Sequence, residues 1–333
     1  MKNERDRGTL KSFSHLLALG RTPTEYEVTS SRLLYHPERR FALNLPLSDW
    51  YRQHLDGSGL EAEDWEAFRD PRETTYAKYV QLQHDRQRIV DGLLERIELE
   101  GYDRELSEQS IDFLSRAIFP LRYPLHGLQM VAAYVGQMAP SGKIAIAALL
   151  QASDEMRRIQ RIAYRMAQCT VAHPERAWDS KARWQEAPEW QPLRELIERM
   201  LVTYDWAEAL VALNLCTKDL LDPLLMIHLP ARARHQGDHL LDGVFFSLME
   251  DCRWHQDWSR ALVDLALAQR PINQTVLRAW IDRWLPLARS AVGTLAPVLA
   301  NPSEIERWRL ISRTEQSDDG ADTRSAETRG RRA

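Results

Sequence analysis

Cysteine is scarce: only Cys169, Cys216 and Cys252 occur, far apart and in neither a CxxC nor a Cys/His spacing, which excludes a disulfide framework and a thiolate zinc site. They read as small buried hydrophobes in a reducing compartment. No run approaches the roughly 18 consecutive apolar residues that a membrane span needs. The charged start, Met1 to Arg7, is not followed by a signal-type apolar stretch. A cytoplasmic protein with no membrane segment is expected. Excess positive charge is lacking too. Lys and Arg number 44 against 48 Asp and Glu, for a net charge of -4, so no basic face offers to release phosphate counterions and nucleic acid is not an expected partner. The glycine motifs GxGxxG, GxxxxGK[ST] and GxSxG are absent, leaving no sequence case for a nucleotide cradle or a hydrolase elbow.

Strand patterning is missing as well. Nowhere do Val, Ile and Thr alternate over a strand's length between Asn-Gly or Asp-Gly turns, and the fold class expected is all-α. What is present instead is helical periodicity. Tyr76, Tyr79, Val80, Gln83, Gln87, Val90 and Leu94 share one helical face. Further stripes run through Leu121, Leu125, Leu128, Ala132 and Val135, and through Ile144, Ala148, Gln151, Glu155, Arg158 and Ile162. Another follows Leu193, Leu196, Met200, Tyr204, Ala207, Val211 and Leu215, and a later one Phe245, Leu248, Cys252, His255, Ser259 and Leu262. A last helix from Ile272 carries Val276, Trp280 and Trp284 to Pro286, where an interruption or kink is expected. Long helices with short breaks and no fixed repeat predict a bundle. Residues 1–50, with Pro23, Pro37 and Pro46, read as an extended arm holding one short helix near Phe13 to Leu19; 51–312 form the helical domain; 313–333 form a polar, disordered tail. Eleven tryptophans and ten tyrosines suit a chain that lives in a complex.

A large helical bundle raises the question of a carboxylate-bridged di-iron site, whose helices supply single Glu residues and Glu-x-x-His pairs. None of the ten histidines has Glu three residues before it. Two helices carry Glu followed at i+3 by Arg instead: Glu155 with Arg158, and Glu250 with Arg253. Guanidinium has no lone pair for a metal. These pairs, with the amides of Gln83 and Gln87, are either internal replacements for a metal centre or solvated surface pairs. The first reading suits Glu155 and Arg158, which lie on an apolar stripe; the second suits Glu250 and Arg253. His255, also on a stripe, and His126 read as hydrogen-bonded core histidines rather than ligands or bases. His235 and His239, an i, i+4 pair interrupted by Gly237, lack an evident third ligand.

Pro120-Leu121-Arg122-Tyr123-Pro124-Leu125-His126-Gly127-Leu128-Gln129-Met130, followed by Ala133-Tyr134-Val135-Gly136-Gln137-Met138-Ala139-Pro140, resembles the hydroxylase beta subunits of bacterial multicomponent (soluble di-iron) monooxygenases of the toluene, alkene and isoprene type. The likeness extends to Pro23-Thr24-Glu25-Tyr26, Tyr35, Trp50-Tyr51-Arg52-Gln53, Trp190 to Leu196, Asp205 to Ala209, Trp258 to Val263 and Trp280 to Ala288. It implies a ferritin-like (ribonucleotide-reductase-like) bundle that has lost its metal ligands, with no catalytic residue, metal ligand or cofactor in this chain. The resemblance further implies a partner alpha subunit holding the di-iron centre and a small gamma subunit, in an (αβγ)2 hydroxylase. An effector protein, a Rieske ferredoxin and an NADH-dependent reductase with FAD and iron-sulfur clusters would complete the system. The hydroxylase would insert one oxygen atom from O2 into an aromatic hydrocarbon or an alkene. Tyr26, Trp50, Tyr51, Arg122, Tyr123, Gln129 and Tyr134 match the motifs and are the expected subunit-interface residues, with ordinary core packing the competing reading. Two further readings stay open: a helical metalloprotein with unrecognised ligands such as His255, and a free-standing helical scaffold.

Overall fold

The computed structural model describes residues 11–33 and 46–302, among which there is no strand. After a 3-10 segment at Lys11–Leu19 come α1 (Glu25–Ser30), α2 (Pro46–Tyr51), α3 (Tyr76–Leu99), α4 (Tyr102–Glu105), α5 (Glu108–Phe113), α6 (Arg122–Met138) and α7 (Gly142–Ala172). Then follow α8 (Ser180–Glu186), α9 (Gln191–Leu201), α10 (Trp206–Leu210), α11 (Lys218–Pro223), α12 (Leu229–His235), α13 (Leu240–Gln269) and α14 (Asn273–Leu299). π-helical turns at Val211–Thr217 and Leu224–His228 join α10, α11 and α12 into one wide rod.

Local chemistry fixes the helix starts. Thr24 and Glu27 form a capping box, with the Glu27 N–H donating to Thr24 Oγ1 at 3.2 Å and the Thr24 N–H to Glu27 Oε2 at 2.8 Å. Thr75 and Ser141 cap α3 and α7 in the same sense. Asp205 caps α10 and also accepts from Ser58 Oγ at 2.7 Å and the Gly59 N–H at 2.9 Å, tying a distant loop to the helix start.

α6 and α7, joined by a three-residue turn, make the tightest pair. Gly136 lets Leu149 approach, since a Cβ there would lie 2.7 Å from Leu149 Cγ; at Gly127 a Cβ would lie 2.3 Å from Ile197 Cγ2 of α9. The main core runs through α6, α7, the α10–α12 rod, α13 and α14, and a smaller cluster of Val90, Leu94, Ile97, Leu240 and Val244 holds α3 on α13.

The stripes expected on α6, α7 and α13 are buried as read. Three local features differ from expectation. The N-terminal arm carries α1 and α2 beyond the one short helix, because Thr24 and Pro46 start helices there. The stripe from Leu193 to Leu215 is broken between α9 and α10, where Asp205 gives its carboxylate to a new helix start. α14 runs through Pro286 and Pro297 to Leu299. Residues 313–333 and Tyr35 lie outside the described residues. All three cysteines are free and buried, and no described helix is long and apolar enough to cross a membrane.

Candidate functional site: a buried charge cluster in the bundle

The middle of the bundle is charged. Glu155 and Arg158 of α7, with Lys218 and Asp222 of α11, have side chains no more than 3% exposed. Arg158 Nη1 lies 2.9 Å from Glu155 Oε2 and 3.1 Å from Asp222 Oδ1. Lys218 Nζ lies 2.5 Å from Glu155 Oε1 and 3.0 Å from Asp222 Oδ2. Each cation therefore touches both carboxylates. Arg158 Nη2 also donates to Cys252 Sγ of α13 at 2.7 Å. Burial opposes the Lys218 charge, as does Arg158 beside it, but Asp222 and Glu155 outweigh both and hold its pKa above the usual lysine value. Burial likewise opposes ionisation of Asp222, yet Lys218 and Arg158 keep its carboxyl below the usual range. Burial pushes the Cys252 thiol up, so it stays protonated and accepts weakly. Two positive and two negative charges cancel in a volume that water does not reach.

A second layer lies beside it. Asp154 accepts from Tyr79 Oη at 2.7 Å and Gln83 Nε2 at 2.8 Å, and shares a hydrogen bond with His255 Nε2 at 3.0 Å. Burial, then the Asp251 charge, raises the Asp154 pKa well above its ordinary value. Asp251 accepts from Arg157 Nη1 at 2.8 Å, from Gln83 Nε2 at 2.9 Å and from Arg86. One turn along, Gln151, Asn214 and Ser259 close a neutral network, with Gln151 Nε2 to Asn214 Oδ1 at 2.7 Å and Asn214 Nδ2 to Ser259 Oγ at 2.7 Å. α7 continues the ionic pattern outward, Arg161 pairing with Asp91 at 2.8 Å and Arg165 with Asp103.

The sequence reading of Glu155 and Arg158 as an internal pair matches this geometry, and Glu250 with Arg253 is a surface pair, 44% and 59% exposed. His255 is a hydrogen-bonded core histidine held neutral by burial and by the nearby Lys218 and Arg158 charges. His126, expected in the core, is instead exposed, on the outer face of α6, and His235 and His239 are exposed as well. Lys218, Asp222, Asp154, Asp251 and Arg157 were not singled out from the sequence. The signal available was only the Lys-to-Asp spacing of i, i+4 at Lys218 and Asp222.

A Glu-x-x-His metal centre does not fit these residues, because guanidinium and ammonium groups fill the space between the two carboxylates and offer no lone pair. Among the described residues no group of three or more His, Cys, Asp or Glu is placed to hold a metal ion.

The expected interface residues fall in three places. Trp50 Nε1 donates to Tyr134 Oη at 3.2 Å, which donates to the Tyr204 carbonyl at 2.6 Å, and the Trp50 and Tyr204 rings meet edge to face. Tyr51 packs half-buried against the core nearby. Arg122 sits over the Tyr123 ring, bonds its hydroxyl at 2.8 Å, and Tyr123 stacks on Trp184; Gln129 is half-buried on the same helix. Tyr26 differs: it is 3% exposed and its hydroxyl accepts from the Asp70 N–H.

The sequence profile of the methane/phenol/alkene hydroxylase family matches residues 47–270. The hydroxylase component subunit beta of the toluene-4-monooxygenase system of Ectopseudomonas mendocina is 33% identical, over 88% of this chain and 91% of that one. The hydroxylase component small subunit of propane 2-monooxygenase from Rhodococcus jostii (strain RHA1) is 23% identical over 88% of this chain and 82% of its own. Among solved structures, toluene 4-monooxygenase with toluene bound in its resting active site superposes with a TM-score of 0.82 at 32% identity, covering 90% of this chain and 99% of that chain. Xenon-pressurised phenol hydroxylase from Pseudomonas sp. OX1 shares the fold, with a TM-score of 0.80 at 23% identity over 92% of this chain and 93% of that chain. The helical bundle and these matches over most of the sequence agree, and the chain belongs to the methane/phenol/alkene hydroxylase family.

Proposed function

We propose that this chain is the non-catalytic beta subunit of the hydroxylase of a multicomponent monooxygenase, inserting one oxygen atom from O2 into an aromatic hydrocarbon or alkene. Its work is to scaffold a larger alpha subunit that holds a di-iron centre, with a gamma subunit, in an (αβγ)2 assembly. An effector protein, a Rieske ferredoxin and a reductase carrying FAD and iron-sulfur clusters would deliver electrons from NADH. The relative at 33% identity is named for toluene, which favours an aromatic hydrocarbon over propene or isoprene as substrate.

The observation that carries the reading is the pair of buried cations, Arg158 and Lys218, between the carboxylates that a bundle metal centre would need. Catalytic metal chemistry then falls to a partner. The surface of α3 supports a partner as well: Leu82, Ile89 and Leu99 are 43%, 73% and 88% exposed along it, and a Cβ at Gly92 would meet nothing. Near Trp50 and Tyr134, Leu201, Val202 and Tyr204 are also exposed, the aromatic and aliphatic make-up of an interface centre.

Co-expression of the tagged chain with the large hydroxylase subunit encoded beside it tests the reading. The expected result is a stoichiometric complex that, with reductase, ferredoxin and effector added, converts toluene to a hydroxylated product, while the chain alone converts none. A chain that stays a monomer beside its large subunit contradicts it.

A further inference from the structure

A surface helix ordinarily turns an apolar stripe inward and its charges outward, and α7 does the reverse. Asp154, Glu155, Arg157, Arg158, Arg161 and Arg165 are all buried, and the only other charged residue of the helix, Lys143, is half-buried in its first turn. Every exposed position of α7 is therefore neutral, with Leu149, Tyr164 and Val171 47%, 46% and 77% exposed. The outer face also has a period of its own. Leu149, Ser153, Met156, Gln160, Ala163 and Ala167, each exposed or half-buried, follow one another at alternating intervals of four and three, which is the spacing of a coiled-coil seam. Alongside, α6 exposes His126, Met130 and Gln137, and its one Lys, Arg, Asp or Glu is Arg122, which lies over the Tyr123 ring. Other helices do carry charge outside: Arg88 on α3, Glu198 on α9, Arg260 on α13 and Asp282 on α14 are exposed.

We propose that the outer face of α6 and α7 is the seat of the large hydroxylase subunit, which lays a helix with no charged side chain along the α7 seam; the identity of that occupant rests on the hydroxylase reading above. Charge selects the chemistry of the covering surface. A Lys, Arg, Asp or Glu pressed onto this seam would lose its hydration and meet no opposite charge, whereas neutral donors and acceptors can pair with Gln160 and Ser153. The extent suits a stable interface, since helices of 31 and 17 residues at the usual spacing present on the order of 700 Å², close to the ~800 Å² that one partner gives to a standard interface. A second copy of this chain fits less well. Reversing α7 on itself about the middle of the seam sets Gln160 against Met156 and Ser153 against Ala163, so that polar groups face apolar ones, and it brings together two net charges of -4.

The test uses the full chain and the large subunit encoded beside it. Wild type and the double variant Ser153→Glu plus Gln160→Glu, told apart by tag mass, are co-expressed with the large subunit, and their ratio in the purified complex is compared with their ratio in the soluble protein. Both positions are exposed, so the isolated variant is expected to melt within about 2 °C of wild type. In the complex it should be depleted about tenfold or more, whereas Arg260→Glu on α13 should be depleted by less than about threefold. A photo-crosslinking phenylalanine analogue in place of Gln160 gives the independent readout and is expected to capture the large subunit. A complex that takes up the double variant as readily as wild type overturns the inference and leaves the hydroxylase reading standing; so does a crosslink to a second copy of this chain, or to nothing. Wild type that forms no complex at all overturns both. Should the double variant fail to fold, the crosslink alone decides.

Discussion

At the scale of single residues, the two Glu-x-x-Arg pairs separate what burial does to the same chemistry. Arg158→Leu leaves Glu155 and Asp222 with one cation fewer in a dry interior, and a cost of about 3–5 kcal/mol in urea unfolding is expected. Arg253→Leu breaks only an exposed pair and is expected to stay within about 0.5 kcal/mol. Equal effects would mean that the inner pair carries no structural weight. His255 supplies a pH dependence. Its folded pKa lies well below 6.5, chiefly because burial disfavours the imidazolium, so below pH 6.5 the unfolded chain takes a proton that the folded chain refuses. Stability held by the neutral ring is thus lost as pH falls from 6.5 toward the folded pKa. His255→Gln, neutral at every pH, lacks that loss, so the stability gap between wild type and variant should narrow between pH 7 and pH 5, measured by urea midpoints; a constant gap would mean that His255 takes up its proton equally in the folded and unfolded chains. Glu155, Arg158 and His255 were legible in the sequence because a 3.6-residue stripe runs through them. Lys218 and Asp222 were not, because the π turn at Val211–Thr217 rotates the rod, so that buried Asn214 and Lys218 replace half-buried Leu215 on the inner face.

At the scale of elements, α3 and α6 make opposite uses of glycine. Gly127 of α6 lies against Ile197, and Gly127→Ala must push α9 away; a loss of about 1–3 kcal/mol is expected in thermal or urea unfolding. Gly92 of α3 has open space where its Cβ would be, so Gly92→Ala should raise the stability of the isolated chain by about 0.5–1 kcal/mol. If a partner helix packs on α3, the same change should weaken the complex, read by titration of the large subunit; unchanged affinity would take α3 out of the interface. The helices themselves were readable because apolar stripes on α6, α7 and α13 are long and uninterrupted. The break at Asp205 was hidden by a stripe that spans it, since side-chain capping from Asp205 to the Ala207 and Glu208 N–H groups competes with helix continuation without altering the apolar pattern. Helix propagation through Pro286 went against the usual effect of a missing N–H.

For the whole molecule, the middle of the bundle is held together by charges the chain supplies itself, and aromatic and aliphatic side chains are exposed near Trp50 and along α3. The fold was legible because periodicity and the motif from Pro120 to Pro140 point the same way; the burial of individual motif tyrosines was not, since a motif does not say which face of a tyrosine is outside, as buried Tyr26 and half-buried Tyr134 illustrate. Iron per protein, measured by mass spectrometry on the isolated chain and on its complex with the large hydroxylase subunit, with native mass taken on the same samples, tests the central claim most directly. Iron should appear only in the heteromeric complex, and the isolated chain should stay folded and unchanged by a chelator. One or two irons held by the isolated, folded chain would contradict the claim and reopen the search for ligands, beginning at His255 and Glu155.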